Sequence, residues 1–239
     1  MRILITNDDG VSASGLYKLA EMAKKFGEVW VVAPEGQCSA MSQRITVVGQ
    51  VRLAKASGFP VEGVHAYSLG GTPADCIKAA VGYLMKEKPD YVFSGINKGY
   101  NAGVEVIYSG TVAAAMEALL KGIPAIAFST EANSVYDVVD EYLYKLTKEL
   151  FEKPAGSGKI WNVNFPGCSV EECRGILWGR TLAKTQYMLD DYDIEQQEDG
   201  SVLLDLQGQK ITSAEQGSDL CALFDRYISI GTINNMVLG

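Results

Sequence analysis

Across residues 1–130, apolar runs rich in β-branched residues end in polar, glycine-containing clusters, and a helical pattern follows most of them. Arg2–Thr6 runs into Asn7-Asp8-Asp9-Gly10, and Leu16, Leu19, Ala20 and Ala23 then share one face of a helix predicted over 14–26. Glu28–Ala33 is a second strand, halted at Pro34. Residues 44–69 read as β, with Ile45–Val48, Val51–Leu53 and Val64–Leu69 as candidates. Thr72-Pro73-Ala74-Asp75 is a capping-box start for a helix to about Lys86. Tyr91–Ser94 is a strand before a long loop over 95–109, and a helix from Thr111 to Lys121 ends at Gly122. Pro124–Ser129 is a strand. Val135, Val138, Val139, Tyr142, Leu143, Leu146 and Leu150 form the apolar stripe of a helix over 134–151. Strand and helix in alternation demand right-handed crossovers, so the expected fold is α/β, a mostly parallel sheet with helices on both faces. The rhythm breaks after the strand at 160–165. Residues 180–211 read as a β-hairpin about Asp199-Gly200, then a short helix near 219–224 and a strand over 227–230. The expected division is a catalytic domain at 1–175 and a C-terminal extension at 176–239.

Charge and residue counts exclude several classes. The net charge is −8, with seven acidic residues and no lysine or arginine between 185 and 209. No basic face for a nucleic-acid polymer is left, and the acidic segment reads as solvated surface. No apolar run approaches the roughly 20 residues of a membrane span. Met1-Arg2 leads directly into a strand pattern, so a cytoplasmic protein is expected. Five cysteines without a leader read as free thiols. His65 is the sole histidine and falls in a strand, which disfavours a catalytic zinc centre or a histidine-based triad. Any chemistry then falls to oxygen ligands and a hard cation.

In open α/β sheets such chemistry gathers at the carboxyl ends of the strands. Those ends supply Asp8 and Asp9, then Ser39, then Thr72 and Asp75, then Asn97, Asn101, Ser109 and Thr111. Adjacent aspartates on a continuing strand point to opposite faces, so both can serve one point only if the chain turns, and Gly10 eases a turn. Two readings are open: a cation site, or a pair of turn-forming aspartates bonded locally. Ser39 and Asn97 add a hydroxyl and an amide oxygen, and the four together suit magnesium or manganese. Ser109-Gly110-Thr111 opens a helix, where N–H groups and the dipole favour a phosphate; the alternative is a plain N-cap by Thr111. Asp75 reads as the capping-box residue.

Taken together, Ile5-Thr6-Asn7-Asp8-Asp9-Gly10, Val32-Ala33-Pro34, Gly71-Thr72-Pro73-Ala74-Asp75-Cys76, Ser94 to Gly103, Tyr108-Ser109-Gly110-Thr111-Val112 and Asn162-Val163-Asn164-Phe165-Pro166 resemble the stationary-phase survival protein family, SurE. The resemblance covers roughly residues 1–170. It implies a Rossmann-like domain whose C-terminal part builds a homodimer or homotetramer. It also implies a metal-dependent phosphatase for nucleoside monophosphates, on 5′ and often 3′ esters, with polyphosphate trimming in some members. One divalent cation per subunit would be held by Asp8, Asp9, Ser39 and Asn97. Asp8 and Asp9 would be catalytic, with Asp9 a candidate proton acceptor. Ser109, Gly110, Thr111 and Asn101 would bind phosphate. Three positions depart from the family pattern: Ala40 follows Ser39 where glycine is usual, Glu105 stands for an aspartate, and 228–233 lacks Thr-Pro-Leu. The first two bear on substrate preference or rate, the third on C-terminal exchange. The rivals are a phosphoaspartyl hydrolase, disfavoured because its aspartates are spaced by one residue, and a nucleotide-binding regulator without turnover.

Overall fold

The computed structural model describes residues 1–133 and 135–238. In chain order the elements are β1 (Arg2–Thr6), α1 (Ser14–Ala23), β2 (Glu28–Pro34), β3 (Leu53–Lys55), β4 (His65–Leu69), α2 (Pro73–Ala79), β5 (Tyr91–Lys98), α3 (Gly110–Leu120), β6 (Ala125–Thr130), α4 (Asp137–Glu152) and β7 (Lys159–Phe165). They continue with β8 (Ile176–Arg180), β9 (Met188–Gln196), β10 (Val202–Lys210), α5 (Asp219–Phe224) and β11 (Ile228–Asn234). Nine strands form one sheet in the order β3-β4-β2-β1-β5-β6-β7-β11-β8. From β4 to β7 all neighbours are parallel; β3 and β11 run against β4 and β7.

Alternation along the central strands divides the core. Ile3, Ile5 and Phe93 turn to one face, under Leu16 and Leu19 of α1 and Val139, Leu143 and Leu146 of α4. Leu4, Val32 and Val92 turn to the other, under Ile77 of α2 and Val112, Ala115 and Met116 of α3. Burial on both faces is the setting in which a parallel sheet is stable.

Several elements differ from expectation. Ile45–Val48 is irregular; Thr46 donates from its N–H and hydroxyl to the Asp75 carboxylate, and Val48 is 88% exposed. Of the candidate Val51–Leu53 only Leu53 enters a strand, β3. The α-helix from Pro73 stops at Ala79 and continues as a π turn over Ala80–Leu84. β5 runs to Lys98, four residues past the expected end, because Asn97 and Lys98 pair with Ser129 and Thr130 beyond a register shift. α1 is shorter than 14–26, since the chain turns at Gly27, where a Cβ would lie 2.1 Å from the Met1 carbonyl oxygen. α4 begins at Asp137. Val135, assigned to its stripe, is exposed, and Ser134 lies outside the described residues.

β9 and β10 form a separate two-stranded sheet, antiparallel, with nearly every residue exposed on both faces. Tyr192, Ile194, Leu204 and Leu206 lie bare between the acidic side chains. β8 and β11, either side of it in sequence, belong to the main sheet.

Candidate active site

The chain leaves β1 towards β2 on one side and returns through β5 on the other, so the carboxyl end of β1 opens on the sheet's switch point. Asn7, Asp8, Asp9 and Gly10 occupy that end. Asn7 Nδ2 donates to the Gly10 carbonyl at 2.9 Å and closes the turn. Gly10 has φ +96°, and a Cβ there would lie 3.1 Å from the Gly36 carbonyl carbon, so glycine allows the first two loops to touch. Cys38 N–H donates to the Asp8 carbonyl at 2.7 Å and Val11 N–H to the Pro34 carbonyl at 2.8 Å. These bonds lash the Ser39 loop onto the aspartate turn. Ser42 N–H reaches the Tyr108 carbonyl at 2.9 Å, tying the same loop to the approach of α3.

The two aspartates diverge at the turn. Asp8 points at the start of α3, where Thr111 Oγ1 donates to its Oδ1 at 2.6 Å and Thr111 N–H to its Oδ2 at 3.1 Å. Gly110 makes room: a Cβ would sit 2.8 Å from Asp8 Cβ. Asp8 is 3% exposed. Burial, opposed by the Thr111 hydroxyl and abetted by the charge of Asp9, pushes its carboxyl up to about 6. Asp9 turns towards β5, and its Oδ2 accepts the Lys98 N–H at 3.1 Å. Burial raises its pKa too, against the Lys98 N–H and charge. No ion pair engages either aspartate among the described residues.

The helix start has a different cap from the expected one. Ser109 is the N-cap, its Oγ accepting Val112 N–H at 3.0 Å, while Thr111 serves Asp8. An anionic carboxylate thus already sits where N–H groups and dipole favour one. Asn97 turns Nδ2 back to the Gly99 carbonyl at 2.8 Å. Ser39, on the exposed loop, accepts from Gln37 Nε2 at 3.1 Å. Asn101 lies in a buried polar cluster: its Nδ2 donates to Ser129 Oγ, its N–H to Asn164 Oδ1, and its carbonyl accepts from Asn162 and Asn164. Its amide is therefore engaged within the protein. Asp75 closes the capping box with Thr72, and His65 stacks on Trp30 at 4.3 Å beside Glu28.

Other residues shape the site through close backbone approaches and loop ties. Gly15 admits Ile96, whose carbonyl oxygen would be 2.1 Å from a Cβ there, and Gly95 likewise admits the Phe128 carbonyl. Glu105 accepts the N–H groups of Tyr187 and Met188, so this departure from the family pattern ties the active-site loop to the foot of the hairpin. Ala40 holds φ +54°, the left-handed region that a glycine would occupy freely. Among the described residues no group of three or more His, Cys, Asp or Glu can share a metal ion, so any cation here would depend on two carboxylates with neutral oxygens. No helix among them is long and apolar enough to cross a membrane.

Comparison with known proteins gives a consistent result. The family model described as "Survival protein SurE" matches residues 3–188. A "5'-nucleotidase SurE" of Alkaliphilus metalliredigens is 39% identical over 239 residues, covering 98% of this chain and 92% of that protein. One of Flavobacterium psychrophilum is 38% identical over 232 residues, covering 95% and 89%, and one of Clostridium botulinum (strain ATCC 19397 / Type A) is 35% identical over 237, covering 96% and 91%. The crystal structure of the SurE protein from Aquifex aeolicus superimposes with a TM-score of 0.84 at 30% identity, over 98% of this chain and 93% of that one. With β1 delivering two aspartates to the switch point of such a sheet, and with matches along nearly its whole length, this chain belongs to the SurE family.

Proposed function

We propose that the protein is a 5′-nucleotidase that hydrolyses nucleoside monophosphates with the help of one divalent cation per subunit, magnesium or manganese. Two carboxylates, one almost fully buried, sit at the switch point with raised pKa values and no ion-pair partner among the described residues, and that arrangement carries the reading. A cation between them would favour the charged form of both carboxylates and offset the cost of their burial. The oxygen set fits a hard one: Asn97 binds its own chain through Nδ2 and leaves Oδ1 for a ligand, and the buried Asn7 Oδ1 lacks a partner among the described residues. The names of the relatives support the 5′-nucleotidase assignment. The 3′-esters and polyphosphate remain expectations from the family resemblance.

Asp8, Asp9, Ser39 and Asn97 would hold the cation. When bound, it would polarise a phosphate oxygen and make a water more acidic. The protein's own groups supply the rest. Thr111 fixes the rotation of Asp8 through two bonds, so it acts as a positioning residue. Asp9 Oδ1, the oxygen Lys98 N–H does not engage, is the atom to take a proton from the attacking water. The Ser109 hydroxyl, whose oxygen accepts the Val112 N–H and whose proton is free to donate, and the Gly110 N–H would receive the phosphate at the start of α3. A cavity of about 310 Å³ lined by Ser109, Ile107, Met116, Leu120 and Met236 offers the nucleoside an apolar bed. The unit at 1–175 carries these groups, except that Met236 of the extension closes one side of the cavity. The extension at 176–239 serves association into a homodimer or homotetramer, and the bare apolar side chains of β9 and β10 support that role.

Turnover of a nucleoside monophosphate should need added magnesium or manganese and stop with chelator. Full activity in a rigorously metal-free preparation would remove the cation from this account. Tight nucleotide binding without turnover in manganese would favour the regulator.

A further inference from the structure

We propose that Lys98 supplies the ammonium group that receives the substrate's phosphate beside Asp9, an inference that rests on the nucleotidase reading. The site has a charge deficit. Two carboxylates face a phosphate monoester of charge about −1.5 to −2 near neutrality, and one dication offsets only part of that sum. A further positive group is needed within reach.

Lys98 is the basic side chain whose charge acts on Asp9. The charge of Arg44 acts instead on Cys38. Lys98 ends β5, and its N–H bond to Asp9 Oδ2 fixes the root of the side chain beside that carboxylate. The exposed chain then passes over Tyr136, with Nζ 5.4 Å from the ring centroid. Tyr136 is itself held, its hydroxyl 3.2 Å from Ser14 Oγ. A second lysine shares the ring: Lys18 Nζ is 5.1 Å from the centroid. That one is neutralised, bonded to both oxygens of Asp140 at 2.7 Å. Lys98 has no ion pair among the described residues, though it starts next to an aspartate. An aromatic face restrains an ammonium while leaving its donors free, which suits an incoming anion. Two like residues on one ring, one paired and one unpaired, provide an internal control.

The test is calorimetric binding of inorganic phosphate to the manganese-loaded protein, with manganese affinity measured in parallel, for wild type, Lys98→Met, Lys98→Arg and Lys18→Met. Lys98→Met should weaken phosphate binding about tenfold, as expected when a charge-assisted bond is lost. Lys98→Arg should recover most of it, and Lys18→Met should stay within twofold of wild type. Manganese should bind Lys98→Met at least as tightly as wild type, because a neighbouring positive charge is gone. Every variant keeps the backbone N–H bond to Asp9, so weaker manganese in Lys98→Met would mark a disturbed metal site rather than a lost phosphate partner. Phosphate affinity unchanged in Lys98→Met, equal loss in Lys18→Met, no recovery with arginine, or weakened manganese would each overturn the assignment. Wild-type turnover of a nucleoside monophosphate, assayed alongside, separates the two ideas: its absence defeats the nucleotidase reading, while the phosphate titration still decides Lys98.

Discussion

Thr111 and Asp8 make a measurable pair. Thr111→Val keeps the side-chain shape and the N–H bond to Oδ2 but removes the hydroxyl that donates to Oδ1 at 2.6 Å. Both residues are buried, so water cannot replace the donor. A hydrogen bond to a charged group contributes about 1.5–3 kcal/mol, and that is the expected loss in chelator at about pH 8, where the carboxylate is ionised. For a chain of this size the melting temperature should fall by roughly 3–12 °C. In an Asp8→Asn background the acceptor is neutral, and the same substitution should cost only about 0.5–1.5 kcal/mol. The coupling energy from urea unfolding of the four proteins should thus be about 1 kcal/mol or more. Equal costs in the two backgrounds would show that the Thr111 hydroxyl does not support the Asp8 charge, and the account of how Asp8 is aimed would fail.

Further outcomes follow from neighbouring residues. Metal-free Asp9→Asn should melt at or above metal-free wild type, since the repulsion that raises the Asp8 pKa is gone. Manganese at 100 times its dissociation constant should stabilise wild type by about 2.7 kcal/mol and the variant far less; equal gains would exclude Asp9 as a ligand. Ala40→Gly should relieve a left-handed backbone costing about 1–2 kcal/mol while adding about 0.4–1 kcal/mol of unfolded-state freedom. Urea unfolding should show a small net gain, and a net loss would refute the strain. Burial acts to raise the Asp75 pKa, but the donors Thr46 and Thr72 outweigh it and hold it below the ordinary value. Its folded pKa therefore lies under the unfolded one, so its contribution is fully present above about pH 4–5 and is lost as pH falls through the folded value. The stability gap between wild type and Asp75→Asn, followed by urea unfolding across pH, should be flat near neutrality and shrink in acid; a gap that widens in acid would invert the sign.

Local pattern and chain order settled much of this protein in advance. The β1–α1–β2 rhythm, the apolar stripe of α4 and the capping box at Thr72 are short-range features, and each needs only its own residues to be recognised. They led to a mostly parallel sheet and to Asp8 and Asp9 at a strand end. Tertiary structure decided what depends on neighbours distant in sequence. Residues 45–48 have β-forming composition but no partner strand, and Thr46 spends its donors on Asp75 instead. β5 reaches Lys98 because β6 supplies pairing past a register shift, and that extension places Asn97 and Lys98 beside Asp9. Thr111, from sequence a cap or a phosphate ligand, is turned to Asp8, and Ser109 caps in its place. No spacing rule reaches across the sequence separation of 103 between those partners. Hydrogen-bond satisfaction of a buried carboxylate is a property of the packed interior, so it became visible only when β1 and α3 were seen side by side.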